Sequence, residues 1–255
     1  AQNRLRDVFR NCFSESRTMK LSLALLLAVV LLSGSHCFAG LVSNDSFESA
    51  FASWAETGNT SIETAAFGVP PPNLLNQALL NTGNGGVGDN SVTVANLESF
   101  LNLTGGTLAT VGPTPAASRG SAIKQSISGV SIGDTLSFSW NFVTAETPPA
   151  IGTDFAFFSI SRTGGSNSAS LLANTSSGLV PFAGGGFTAQ TVYALGGFTF
   201  LEAGDYTIGF GVVNSPDAFI ASGLLVDSVN TVPEPSALAG LGLLSLVGLL
   251  RRRRR

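Results

Sequence analysis

The sequence is poor in cysteine, histidine and positive charge over most of its length. Its two cysteines, Cys12 and Cys37, and its one histidine, His36, all precede Phe38. Downstream of them no disulfide, Cys–His pair or Ser–His–Asp triad can form, and zinc lacks its usual ligands. Between Gly40 and Pro235 the basic residues are Arg119, Lys124 and Arg162 alone, against fourteen acidic ones. A body this acidic repels phosphate backbones and anionic lipid, so nucleic acid is not a partner. The net charge of −3 conceals the imbalance because the other basic residues sit at the termini. Sustained helical periodicity is also missing from the body.

Two routes to catalysis survive these absences. Paired carboxylates can hydrolyse glycosides, and Glu98, Glu146, Asp154 and Glu202 are available. Nothing in their setting marks a pair. A Ser–Lys dyad would need Lys124, which lies in an alternating strand beside Gln125 and reads as a surface lysine. The chain is therefore expected not to be an enzyme. "TGNGGVGD" (Thr82–Asp89) is glycine-rich but lacks the Gly-Lys-Ser/Thr ending of a phosphate loop.

What is present is period-two alternation. Leu136, Phe138, Trp140 and Phe142 alternate with Ser137, Ser139 and Asn141; Tyr206, Ile208, Phe210 and Val212 repeat the pattern. Alternation with aromatic and β-branched residues predicts half-buried strands. Further strands are expected at Ala122–Ser128, Phe155–Ser161, Thr191–Ala194 and Gly223–Val232. Turn formers fill Ser128–Thr135, Ser161–Ser170, Pro181–Phe187 and Glu202–Tyr206. Short strands between glycine-rich turns predict an all-β fold, an antiparallel, jelly-roll-like β-sandwich over 40–230. Near 67–118 the density of Gly, Asn and Pro predicts a loop-rich insertion with brief strands such as Ser91–Ala95.

The ends read differently. Lys20, the apolar run Leu21–Leu32 and the small-residue site Cys37-Phe38-Ala39 have the form of a secretory signal peptide over 19–39. As a helix the run spans about 18 Å, too short for a bilayer core of about 30 Å. Residues 1–18 are an over-extended gene model or a natural extension. At the other end, 231–255 carries Pro233-Glu234-Pro235, the apolar stretch Ala237–Leu250, and Arg251, Arg252, Arg253, Arg254 and Arg255. That stretch reaches about 21 Å as a helix. It is expected to lodge transiently in a membrane, with its arginines on the cytoplasmic side.

This tail resembles the sorting signal of PEP-CTERM exported bacterial proteins. The resemblance implies a short transmembrane sorting helix, recognition by an exosortase-type membrane protease, and transient anchoring in the inner membrane. It further implies a cell-surface or extracellular-matrix protein associated with exopolysaccharide and biofilm. The opening of the body, Leu41–Gly58, resembles that of galactose-binding-like jelly rolls at Asn44, Phe47, Glu48 and Trp54. In such folds the equivalent acid helps hold calcium, so Glu48 with Asp227 is a candidate calcium pair; solvated strand-end acids are the competing reading. No other cofactor is expected.

Two non-catalytic functions follow. The first is an exported structural protein processed at its C-terminal signal. The alternative is a carbohydrate-binding β-sandwich module, with extracellular polysaccharide as partner and Trp54 as a sugar-stacking ring. Trp140 alternates with Phe138 and Phe142 and reads as core.

Overall fold

The computed structural model describes residues 41–113, 117–146, 154–215 and 220–232. The chain divides into units 1–39 and 40–255, and all the described residues belong to the second. The signal-peptide segment lies outside them, as do Pro233–Pro235, Ala237–Leu250 and Arg251–Arg255.

Two antiparallel sheets form a sandwich. Sheet A has the order β1 (Ala55–Thr57), β5 (Arg119–Val130), β12 (Gly204–Asn214), β7 (Phe155–Arg162) and β8 (Asn167–Asn174), and β4 (Val92–Thr93) also pairs with β5. Sheet B has the order β2 (Asn59–Glu63), β3 (Gln77–Asn81), β13 (Ser222–Val232), β6 (Thr135–Thr144), β10 (Phe187–Gln190) and β9 (Val180–Gly184). β11 (Ala194–Thr199) pairs with the first half of β6, from Thr135 to Trp140.

The alternation seen in the sequence builds the core. Ile208, Phe210 and Val212 of β12 meet Phe138 and Phe142 of β6 between the sheets. Phe138 is the hub, with its ring centroid 4.8 Å from Phe210 and 5.0 Å from Phe158. Each such ring, fully buried, contributes roughly 1.5–3 kcal/mol of transfer free energy. Trp140 packs against this cluster only partly buried.

The opposite face of β12 is buried as well. Helices α1 (Val94–Phe100) and α2 (Thr107–Val111) set Leu97, Leu101 and Leu108 over Phe155, Phe157 and Val213. Gly211 makes room there: a Cβ would lie 2.4 Å from the Phe157 ring. The expected strand at Ser91–Ala95 is thus two residues of β4 followed by α1. The hydroxyl of Thr93 stops the strand by accepting from Asn96 N at 3.4 Å, which caps the helix. The 67–118 segment, loops between short elements, supplies β3, which lies between β2 and β13, and the outer cover of sheet A.

The described residues accordingly form an all-β antiparallel sandwich and include no transmembrane sorting helix. Among the described residues no helix is long and apolar enough to cross a membrane. The longest, α1, has 7 residues.

Candidate functional site

The β3–β4 connection, Thr82–Ser91, closes on one carboxylate. Asp89 Oδ1 accepts from Asn59 Nδ2 and from Ser91 N, each at 2.8 Å. Asp89 Oδ2 accepts from Gly85 N at 2.8 Å and faces Arg119 Nη1 at 3.5 Å. Burial works to raise the pKa of Asp89, but the bonds from Asn59, Ser91 and Gly85 outweigh it and hold the group at about 2. Gly83 has φ +77°, and a Cβ there would stand 2.2 Å from Asp89 Oδ1, so this turn requires glycine.

The knotted loop walls a pocket of about 280 Å³ at the outer end of β2 and β3. Asn59, Asn81, Asn84 and Asp89 supply its polar lining, and Val87 and Ala221 its apolar part. Three of its carboxamides are pinned by their oxygens. Asn81 Oδ1 accepts from Gly83 N at 2.8 Å, Asn84 Oδ1 from Gly86 N at 3.0 Å, and Asn59 Oδ1 from Asn90 N at 2.8 Å. Val87 stands fully exposed at the rim. Asp89 spends its oxygens on the loop and is paired with Arg119, so the pocket offers neutral donors and acceptors rather than a bare charge.

The residues singled out in the sequence lie elsewhere. Trp54 is 6% exposed. Its ring is 5.3 Å from Phe47 and 6.2 Å from Phe210, and Nε1 donates to Asn44 O at 3.2 Å. The expectation of a sugar-stacking Trp54 is corrected: the indole is part of the core, packed on Phe47 and Phe210.

Glu48 and Asp227 do come near one another. Burial first, then the charges of Asp45 and Glu48, push Asp227 up to about 6 against its bonds from Asn73 and Ser228. Their oxygens are occupied by backbone donors. Leu75 N and Asn76 N both donate to Glu48 Oε1 at 2.8 Å, and Asn73 N donates to Asp227 Oδ2 at 2.8 Å. The pair tethers the 73–76 segment, and Asp227 is buried rather than solvated. Calcium needs six to eight oxygens, and among the described residues no group of three or more His, Cys, Asp or Glu could hold a metal.

Of the acids weighed for catalysis, Glu146 is buried and its backbone N donates to Thr144 Oγ1 at 3.0 Å. Glu98 seats α2 by accepting from Gly106 N at 2.9 Å and Leu108 N at 2.8 Å. Asp154 accepts from Ser215 N at 2.8 Å, and Glu202 pairs with Arg162 at 2.6 Å. Lys124 donates to Phe100 O and lies 4.5 Å from the Phe100 ring centroid.

Sequence reasoning missed the pocket. Its one signal was the Gly/Asn density of Thr82–Asn90, which marks a loop but not its anchor on Asn59.

No protein-family model matches this chain, and no curated protein matches it. The PEP-CTERM resemblance is therefore corrected. It rested on a short tail of individually common elements, and the exosortase partner, the membrane anchoring and the biofilm role implied by it go with it. Several solved structures are distantly similar to the chain. TmCBM61, solved with β-1,4-galactotriose, has 12% identity and a TM-score of 0.43, covering 77% of this chain and 99% of its own. The C-terminal family 22 carbohydrate-binding module of Clostridium thermocellum Xyn10B has 10% identity and a TM-score of 0.34, covering 75% and 93%. The K1 adhesin domain of Lys-gingipain from Porphyromonas gingivalis has 14% identity and a TM-score of 0.37, covering 72% and 95%. Likenesses this distant assign no function.

Proposed function

We propose that the chain is a non-catalytic carbohydrate-binding β-sandwich module whose ligand site is the pocket of Asn59, Asn81 and Asn84. The observation that carries this reading is the pinning of those three carboxamides by backbone N–H groups of the Thr82–Ser91 loop. A sugar hydroxyl both donates and accepts, as a carboxamide does, so fixed amides pair with hydroxyls without a buried charge. Pinning removes most of the ordering cost that flexible side chains would impose on binding. The exposed Val87 offers an apolar edge to the C–H face of a ring.

The volume, about 280 Å³, is at the small end of ligand pockets. It accommodates one ring, which favours a chain end or a single branch residue over the middle of a polymer. At about −0.3 kcal/mol per heavy atom, a hexose of about twelve heavy atoms gains roughly 4 kcal/mol, a Kd on the order of 1 mM. Export by the 19–39 segment, retained as part of this proposal, brings the module to extracellular polysaccharide.

The test is NMR titration of the labelled protein with neutral mono- and oligosaccharides. Shifts should cluster at Asn59, Asn81, Asn84 and Val87, and Asn84→Ala should weaken binding about tenfold while the thermal midpoint holds. Shifts elsewhere, or none with any neutral sugar, would sink the reading.

A further inference from the structure

From Thr163 to Leu201 the sequence contains no Asp, Glu, Lys, Arg or His. That run holds β8, β9, β10 and β11, which together form one flank of the sandwich. An ordinary soluble surface is roughly a quarter to a third charged, so a run this long with no charge is a marked departure.

Two strand edges on this flank are open. Among the described residues, β8 ends sheet A and pairs only with β7, and β11 pairs only with β6. Arg162 N donates to Ser166 O at 3.0 Å, and Thr175 N to Asp154 O at 3.1 Å. These bonds turn the backbone of Ser168 and Ser170 toward β7, which leaves the N–H and C=O of Asn167, Ala169 and Leu171 pointing outward. In β11, Phe200 N donates to Asp134 O at 2.9 Å, so Leu195, Gly197 and Thr199 point outward by the same parity. Natural edges are guarded by charges or proline. β9 has Pro181, β1 has Glu56 and β2 has Glu63, whereas β8 and β11 have neither. Between the two open edges, Leu172, Leu179 and Phe198 are only partly buried against the core. Leu195 is 84% exposed and Leu171 44%.

We infer that this flank is a homodimer interface, in which β8 of one copy pairs antiparallel with β8 of a second. The partner is a second copy because an uncharged run selects no charged partner, while its own open edges complement one another. Centred on Ala169, the pairing sets Asn167 opposite Leu171 and Ser168 opposite Ser170. Those serines take the close, non-hydrogen-bonded positions, where hydroxyls pair well. A two-fold axis normal to sheet A passes through the stacked layer beneath it. It therefore carries β11 toward its own copy and covers Leu172, Leu179 and Phe198. The amide pocket lies on the far flank, beside β2 and β3, so both pockets stay open and bind with avidity to a branched glycan.

The test is sedimentation of the full chain across a concentration series, with amide hydrogen exchange read in parallel. The wild type should dimerise, with exchange at Ala169, Leu171, Leu195 and Gly197 slowing as concentration rises. Ser168→Lys with Leu195→Lys should raise the dimer dissociation constant at least about tenfold, with an unchanged thermal midpoint. A monomer at every concentration overturns the inference, as does a dimer indifferent to both lysines. Protection of these amides independent of concentration would place other parts of the same chain on the flank and overturns it equally.

Discussion

Asn59 and Asp89, 30 residues apart, are joined by Asn59 Nδ2 donating to Asp89 Oδ1 at 2.8 Å. This bond anchors the pocket loop to the sheet. Asp89→Asn removes an acceptor that serves several donors and should cost on the order of 2 kcal/mol. The pKa of Asp89 is depressed from 3.8 to about 2. Its contribution is therefore present above pH 3.8 and lost as pH falls through about 2. Urea melts between pH 5 and pH 2 should show that acid limb in the wild type and lose it in the variant.

Asp227 acts with the opposite sign. Its pKa is raised from 3.8 to about 6, so the folded state holds its proton more tightly than the unfolded chain. That stabilisation is full below pH 3.8 and disappears as pH rises through about 6, a swing of up to roughly 3 kcal/mol. Asp227→Asn should flatten the thermal midpoint between pH 4 and pH 7. A midpoint in the wild type that rises over this range would contradict the assignment.

Val192 has φ +62°, a left-handed conformation that a β-branched residue rarely adopts, and it is 51% exposed. Val192→Gly relieves about 1–2 kcal/mol of strain and gives back part of it in unfolded-state entropy. A net gain of about 0.5–1 kcal/mol is expected, seen as a higher thermal midpoint.

Trp54 and the pocket should separate cleanly. Trp54→Ala empties core space beside Phe47 and Phe210 and should cost about 3–5 kcal/mol. Sugar titration of the folded fraction should give the wild-type affinity. A specific loss of sugar binding with unchanged stability would return Trp54 to the site.

The long central strands were legible because one face of each meets the core: β6 and β12 show their period of two openly. β8 and β9 were hidden. Their Ser, Gly and Asn residues predict turns, yet as edge strands with exposed faces they need little apolar content. β3 was missed because the five residues Gln77–Asn81 are too few to display a period inside a loop-rich stretch. Of Thr191–Ala194, expected as a strand, Thr191–Tyr193 are instead the break between β10 and β11, with Val192 at its turn, and Ala194 opens β11. The pocket was illegible for a different reason. Asn59 and Asp89 meet only after β2, β3 and β5 have paired, and local composition carries no trace of that pairing.

β12 lies between β5 and β7, and β13 between β3 and β6. The last two strands of the sandwich are thus the middle of both its layers. During synthesis, neither sheet can close until these strands emerge, and the earlier strands wait as separated halves with their apolar faces open. Such long-range pairing makes folding slow. A chain cut short before Ser222 would have no native sheet B, so loss of a few late residues is expected to yield aggregate rather than a smaller working module.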